Sequence, residues 1–258
     1  YGGFELMWVV NLGSWGLSFC EKIGSSGCFL METIFSGFQF RSLIRQLHMI
    51  GVLSLAIIIV SSLFIGSVLA LQGYYTLSNF GASEALGQLL SLSVVRELGP
   101  VVTGLLFAGR AGSSLTSEIG LMKATEQLDS MKMMGVDPLF YVISPRFWAG
   151  WISMPLLTII FDAGAIIGGY WVGVDWLGVD AGAFWSNMQS SVSFGDDIIN
   201  GIIKSLVFGI VVTWISVFQG YSCKPTSEGI ARATTKTVVY GSLCVLGLDF
   251  LLTAIMFN

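Results

Sequence analysis

The chain has 258 residues, of which 54% are hydrophobic and only 11% charged, with a net charge of −4. A soluble domain carries about 25% charged residues, so a water-exposed fold is excluded and an all-α integral membrane protein is the expected class. So small a net charge also gives no reason to expect nucleic acid as a partner.

Residues 1–45 form the first unit. Phe4–Val10 and Phe29–Phe40 are rich in aromatic and aliphatic side chains but are interrupted by glycine, serine and charge. Neither piece is long enough to cross a bilayer, so an amphipathic helix lying in the interface is expected, with a disordered leader as the other reading. His48, the single histidine, reads as an interfacial residue rather than a catalyst. The four cysteines, Cys20, Cys28, Cys223 and Cys244, show no CxxC spacing and read as small apolar residues, with no metal site.

Residues 46–258 form a five-span domain. Met49–Leu71 is 23 residues without a charge, roughly 34 Å of helix and enough to span. Further spans are expected at about 85–109, 147–174, 198–221 and 238–257. Lysine and arginine fall before span one, between spans two and three, and between spans four and five; the other two connections have none. The positive-inside rule therefore puts the N-terminus in the cytoplasm and the C-terminus outside.

Two basic residues break that pattern. Arg96 and Lys204 lie within spans, as do Glu97, Asp162 and Asp249. A charge at the bilayer centre costs about 2.5–3.5 kcal/mol, so such residues face protein or a wet cavity. Adjacent helical residues point about 100° apart, which makes an Arg96–Glu97 pair poor geometry and gives each its own partner. Two readings stand. The residues hold the bundle together, or Arg96, Glu97 and Lys204 line a polar pocket for a lipid headgroup. Asp162 and Asp249 read as structural. Gly99–Pro100 weakens the helix beside these charges.

Small residues recur every fourth position at Gly104, Ala108 and Gly112, and again at Gly201, Ser205 and Gly209. Such spacing serves close helix packing, either within one subunit or at a homodimer interface. Between spans two and three, Ala124, Leu128 and Met131 share one face of a short helix that Gly135 and Pro138 end. It would dock on a partner or rest on its own bundle. The chain contains no GxxxxGK[ST], HExxH or GxSxG motif, so nucleotide hydrolysis and the common hydrolase chemistries are not expected of it.

Three stretches carry a resemblance: RELGPVVTGLLFAGRAGSSLTSEIGLMKATEQLDSMKMMGVDP (Arg96–Pro138), PRFWAGWISMPLL (Pro145–Leu157) and PTSEGIARATTKTVV (Pro225–Val239). From about Phe40 to the C-terminus the chain resembles the MlaE family, permease subunits of a bacterial ABC phospholipid transporter that maintains outer-membrane lipid asymmetry. The resemblance implies a homodimer in a Gram-negative inner membrane. It further implies two cytoplasmic ATPase subunits holding ATP and magnesium, a STAS-domain protein, and a hexameric MCE-domain subunit on the periplasmic side. No cofactor is implied on this chain. The family's coupling helix maps onto about 125–136, with Glu126 and Gln127 toward the ATPase and Leu128, Met131 and Met134 completing the set. Arg96, Glu97 and Lys204 match polar positions near the family's lipid cavity, and Tyr74 and Tyr75 lie at the outer end of span one. Two other classes stand beside this one: a lipid-modifying enzyme using Arg96, Glu97 and Asp249, and a scaffold that only anchors other proteins.

Overall fold

Apolar runs long enough to cross a bilayer can satisfy their backbone there only as helices, and the chain follows that rule. A computed structural model describes residues 24–37 and 40–256, the Asp196 side chain apart. Among the described residues there is no β-strand. The expected segment at Phe4–Val10 lies outside them.

Helix α1 covers residues 24–35 and overlaps the expected segment Phe29–Phe40, starting and ending earlier. It is amphipathic. Phe29 is buried with its ring 5.2 Å from that of Tyr221, while Met31 and Phe35 are exposed. Among the described residues, five helices are long and apolar enough to span: α2 (Phe40–Ser78), α3 (Ser83–Ala124), α5 (Leu139–Trp176), α7 (Ile199–Ser222) and α8 (Ser227–Met256). Between them lie α4 (Gln127–Met133) and α6 (Ala181–Ser191).

Most spans run longer than hydropathy predicts. Helix α3 has 42 residues, roughly 63 Å against a hydrocarbon core of about 30 Å. Hydropathy registers only the apolar stretch, whereas the hydrogen-bond ladder continues through Arg110–Lys123 into polar sequence. Arg110 has a role in that extension: its Nη1 donates to the Met49 carbonyl at 3.0 Å and to Ser54 Oγ at 3.1 Å, tying α3 to α2. Helix α6 was not expected, since its sequence reads as a connection. Asp180 caps it, accepting from the Ala183 N–H at 2.7 Å, and Phe184 is fully buried.

Helices α5 and α7 form the centre, with half of their most apolar windows buried; the shares for α2 and α8 are 22% and 11%. Helix α2 packs along α5, and α8 packs on α7 and α3. The small residues serve this packing inside one subunit. Gly104 faces Val245 and Met154, Ala108 meets Gly241, and Gly112 lies against Ser216 and Thr237. A Cβ added at Gly209 would sit 2.9 Å from that of Met154, and Ser205 is buried with its hydroxyl on the Ile202 carbonyl. These positions are therefore taken up within the bundle, not offered to a second copy. Thr116 adds a polar staple, donating to the Ser216 carbonyl and lying 2.8 Å from Thr237 Oγ1.

The two ends differ in charge. The connections at one end hold most of the lysines and arginines, whereas the other has none of them but carries Glu84, Asp175, Asp180 and Asp197. They are called here the basic and the acidic end.

Candidate functional site

The site begins with a backbone defect. Helix α3 makes a π-helical turn at Val94–Leu98, where the Gly99 N–H reaches the Val94 carbonyl five residues back. Pro100 then has no N–H to give, so the Arg96 carbonyl, four residues before it, loses its helical donor. Lys204 of α7 replaces that donor: its Nζ lies 3.1 Å from the Arg96 carbonyl oxygen. One turn earlier in α7, Gly201 lets the two helices touch, since a Cβ there would stand 2.6 Å from the Val95 carbonyl. Leaving such a carbonyl unpaired would cost about 1–3 kcal/mol. The proline, the lysine and the glycine form one arrangement.

Lys204 is 1% exposed and is the hub of the cluster. Its ammonium also donates to Glu97 Oε2 at 2.8 Å and Thr253 Oγ1 at 2.7 Å and forms an ion pair with Asp249 Oδ1 at 3.3 Å. Thr253 in turn donates to Glu97. Three spans, α3, α7 and α8, are joined at this point. Arg96 takes a different partner, as the helical geometry requires: its Nε pairs with Asp197, which is buried and also accepts the Ser193 N–H at 2.7 Å. Asp197 thereby anchors the start of α7 to α3.

Of the expected cavity residues, Lys204 faces inward with its donors consumed, so it does not itself line a pocket. The faces left accessible belong to Glu97 and Arg96, each 34% exposed, and to Asp249 at 22%. Asp197 and Thr253 join the site without being singled out in the sequence, and Asp249, read there as structural outside the enzyme alternative, joins it too. Asp249 could have been found, because a carboxylate in an apolar span needs a cation and Lys204 was the nearest candidate; Asp197 and Thr253 carry no such signal. Asp162 stands apart, its Oδ1 buried against Gly99 with no hydrogen-bond partner among the described residues. Tyr74 and Tyr75 lie together on α2, their rings 6.0 Å apart. That helix packs chiefly on α5; Tyr74 lies against the apolar core and Tyr75 is exposed.

The basic end carries the second feature. Helix α3 stops at Ala124, and Glu126 adopts a left-handed conformation (φ 57°) that turns the chain into α4. The expected helix at 125–136 is thus shorter, Gln127–Met133, and distinct from α3. Gly135, at φ 74°, closes it with Val136 N–H on the Met131 carbonyl. Leu128 is 2% exposed and packs with Ile119 and Val217, and Met131 lies beside it. Both therefore rest on their own bundle, a correction to their expected place on a docking face: the apolar side of so short a helix is claimed by the core beneath it. Glu126 and Gln127 are exposed, as are Met133 at 88% and Met134 at 70%.

Tyr221, at the basic end of α7, holds α4 in place. Lys132 Nζ donates to its hydroxyl at 3.2 Å, and Lys123 Nζ donates to its carbonyl at 2.6 Å. The Tyr221 hydroxyl holds the Lys132 ammonium above the ordinary lysine range. His48 is exposed, and among the described residues no group of histidine, cysteine and carboxylate side chains could hold a metal ion.

The family profile described as Permease MlaE matches residues 43–255. The intermembrane phospholipid transport system permease protein MlaE of Haemophilus influenzae is 60% identical over 97% of each chain. A probable ABC transporter permease protein of Rickettsia typhi is 37% identical over 98% of this chain and 99% of its own. Another from Synechocystis is 33% identical over 84% and 82%. The matched region reaches all five spans and holds α4 and every member of the Lys204 cluster. The chain belongs to the MlaE permease family.

Proposed function

We propose that this chain is the transmembrane subunit of an ABC-type transporter that moves phospholipid between the inner membrane and periplasmic carrier subunits, and that it performs no chemistry on the lipid. The observation that carries this reading is an ion cluster at bilayer depth whose accessible members, Arg96, Glu97 and Asp249, surround a buried Lys204. Sequence likeness to a Haemophilus protein named as a phospholipid transport permease supports the same substrate.

The basic end lies in the cytoplasm, by the distribution of lysine and arginine. Two copies form the core, with Tyr74 and Tyr75 of one facing the charged cluster of the other across a lipid cavity. Two ATPase subunits, which hold ATP and magnesium, dock on Glu126, Gln127, Met133 and Met134. A STAS-domain protein binds the ATPases, and a hexameric MCE-domain assembly takes the periplasmic face. Movement of α4 passes to α7 through Leu128 and the Lys132–Tyr221 contact. Helix α7 carries Lys204 roughly 26 Å away, so a shift at the basic end reaches the cluster that joins α3, α7 and α8.

The test is reconstitution of the assembled complex in vesicles and measurement of ATP-dependent transfer of labelled phospholipid. Glu97→Gln, which keeps the side chain's shape and an oxygen to accept from Lys204, should impair transfer while leaving assembly intact. Unchanged transfer in that variant would leave the chain as a scaffold, and chemical turnover of lipid by the purified chain would make it an enzyme.

A further inference from the structure

At the acidic end a cleft of about 380 Å³ opens within one subunit, bounded by Val95 of α3, Ile166 of α5, Met188 of α6 and the segment that carries Val192, Phe194 and Ile198. Its walls are mostly apolar, with the exposed Gln189 of α6 also on the lining. Ser91, the hydroxyl-bearing residue at its side, turns its proton back to the Gly87 carbonyl at 2.8 Å and presents no donor to the space. Val95 and Ile166 both lie within spans, and the exposed Trp171 and Trp176 follow Ile166 by one to three turns. Tryptophans mark the headgroup level, so the cleft sits just inside it.

The lip is charged. Val95 adjoins Arg96 and Ile198 adjoins Asp197, so the Arg96–Asp197 ion pair fastens the covering segment to α3 at the cleft's edge. Asp197 also binds the Ser193 N–H, which fixes the turn that carries Phe194 over the opening. An apolar hollow with a charged edge, opening at the depth where hydrocarbon meets headgroups, matches the two-part chemistry of a phospholipid. A space of 380 Å³ holds about a dozen groups of water size, ~30 Å³ each, comparable to most of one acyl chain.

We propose that this cleft holds one acyl chain of a phospholipid inside a single subunit, with the headgroup at the Arg96–Asp197 lip. The proposal rests on the transport reading for its purpose, and the site is additional to the cavity between two copies. Residues 192–198 act as its cover.

The test uses the complex with its ATPase partner in nanodiscs of phosphatidylethanolamine and phosphatidylglycerol, with a fraction of the lipid carrying a photoreactive diazirine near the end of one acyl chain. After irradiation, adducts are mapped by peptide mass spectrometry. Labelling of peptides covering 91–95 and 188–198 should exceed that around Phe250, on the exposed face of α8, by at least fivefold. Ile166→Trp, which fills the cleft, should reduce it to the Phe250 level; Met188→Trp, from the opposite wall on a helix outside the spans, should do the same if Ile166→Trp fails to assemble. Labelling of the cleft peptides equal to that at Phe250 in the unmodified complex would overturn the proposal, as would labelling that survives both substitutions. Either result with ATP-driven transfer intact leaves the transport reading standing. Cleft labelling in a complex that transfers no lipid would do the reverse.

Discussion

Helix α7 carries a cation contact at each end, and the two are built differently. At the acidic end the Lys204 ammonium is 1% exposed and donates to groups on α3 and α8. At the basic end Lys132, on the surface, reaches the Tyr221 hydroxyl at 3.2 Å. Removing one member of a buried ion cluster costs about 3–5 kcal/mol, because the remaining charges are stranded without water. An exposed contact contributes about 0–1 kcal/mol. The first kind locks helices in one register, and the second can be remade when a partner binds. The proposed transport role calls for both, motion received at one end and charge held in lipid at the other.

The largest effect should come from Lys204→Met. It leaves Glu97 and Asp249 facing each other and deprives the Arg96 carbonyl of its donor, so the thermal midpoint in detergent should drop by an amount equivalent to about 3–5 kcal/mol. Adding Glu97→Gln and Asp249→Asn to it should recover much of that stability but not lipid transfer. Recovery of both would show that the cluster serves packing alone.

Gly209→Leu comes next. Its side chain would enter space held by Met154, and overpacking of this kind costs about 1–3 kcal/mol, read from the same melting curves. Thr116→Val removes the staple to Ser216 and Thr237 and should cost about 0.6 kcal/mol.

Tyr221→Phe should change stability least yet separate the two ends most clearly. The ring that packs on Phe29 is kept and only the hydroxyl on Lys132 is lost. ATP hydrolysis by the assembled complex should persist while lipid transfer per ATP falls several-fold. The sign of the pH dependence follows from the Lys132 shift. Its folded value is raised, so the contact is fully present below the ordinary lysine range and is lost as pH rises through the raised value. The difference between Tyr221→Phe and the unmodified complex should therefore shrink at strongly alkaline pH. Equal coupling ratios in the two at neutral pH would remove Tyr221 from the transmission path.

Several of these contacts could be anticipated from residue order, and others could not. That Arg96 and Glu97 need separate partners follows from helical geometry alone, and the structure supplies Asp197 and Lys204. The identity of those partners is not legible: Asp197 and Lys204 lie 101 and 107 positions from Arg96 and Glu97, and pairing over such separations depends on helix rotation. Pro100 was read as a weakening of α3; its connection to Lys204 required knowing that α7 crosses there. Leu128 and Met131 were recognised as one apolar face, but periodicity cannot say whether such a face meets a partner or its own bundle. Helix α6 escaped because its eleven residues alternate apolar and polar too loosely to register.

The residue order by itself determined the membrane class, the five spans, the charge asymmetry of the ends and the presence of ionisable groups that lipid cannot tolerate alone. These are local properties, set by transfer free energies of consecutive side chains. Tertiary structure decided which charges meet, which faces of α4 and α8 stay open, and where a cleft remains beneath residues 192–198. Those outcomes depend on how each helix turns about its axis against its neighbours, and that rotation is fixed only when glycine, serine and ion-pair contacts from distant parts of the chain are satisfied together.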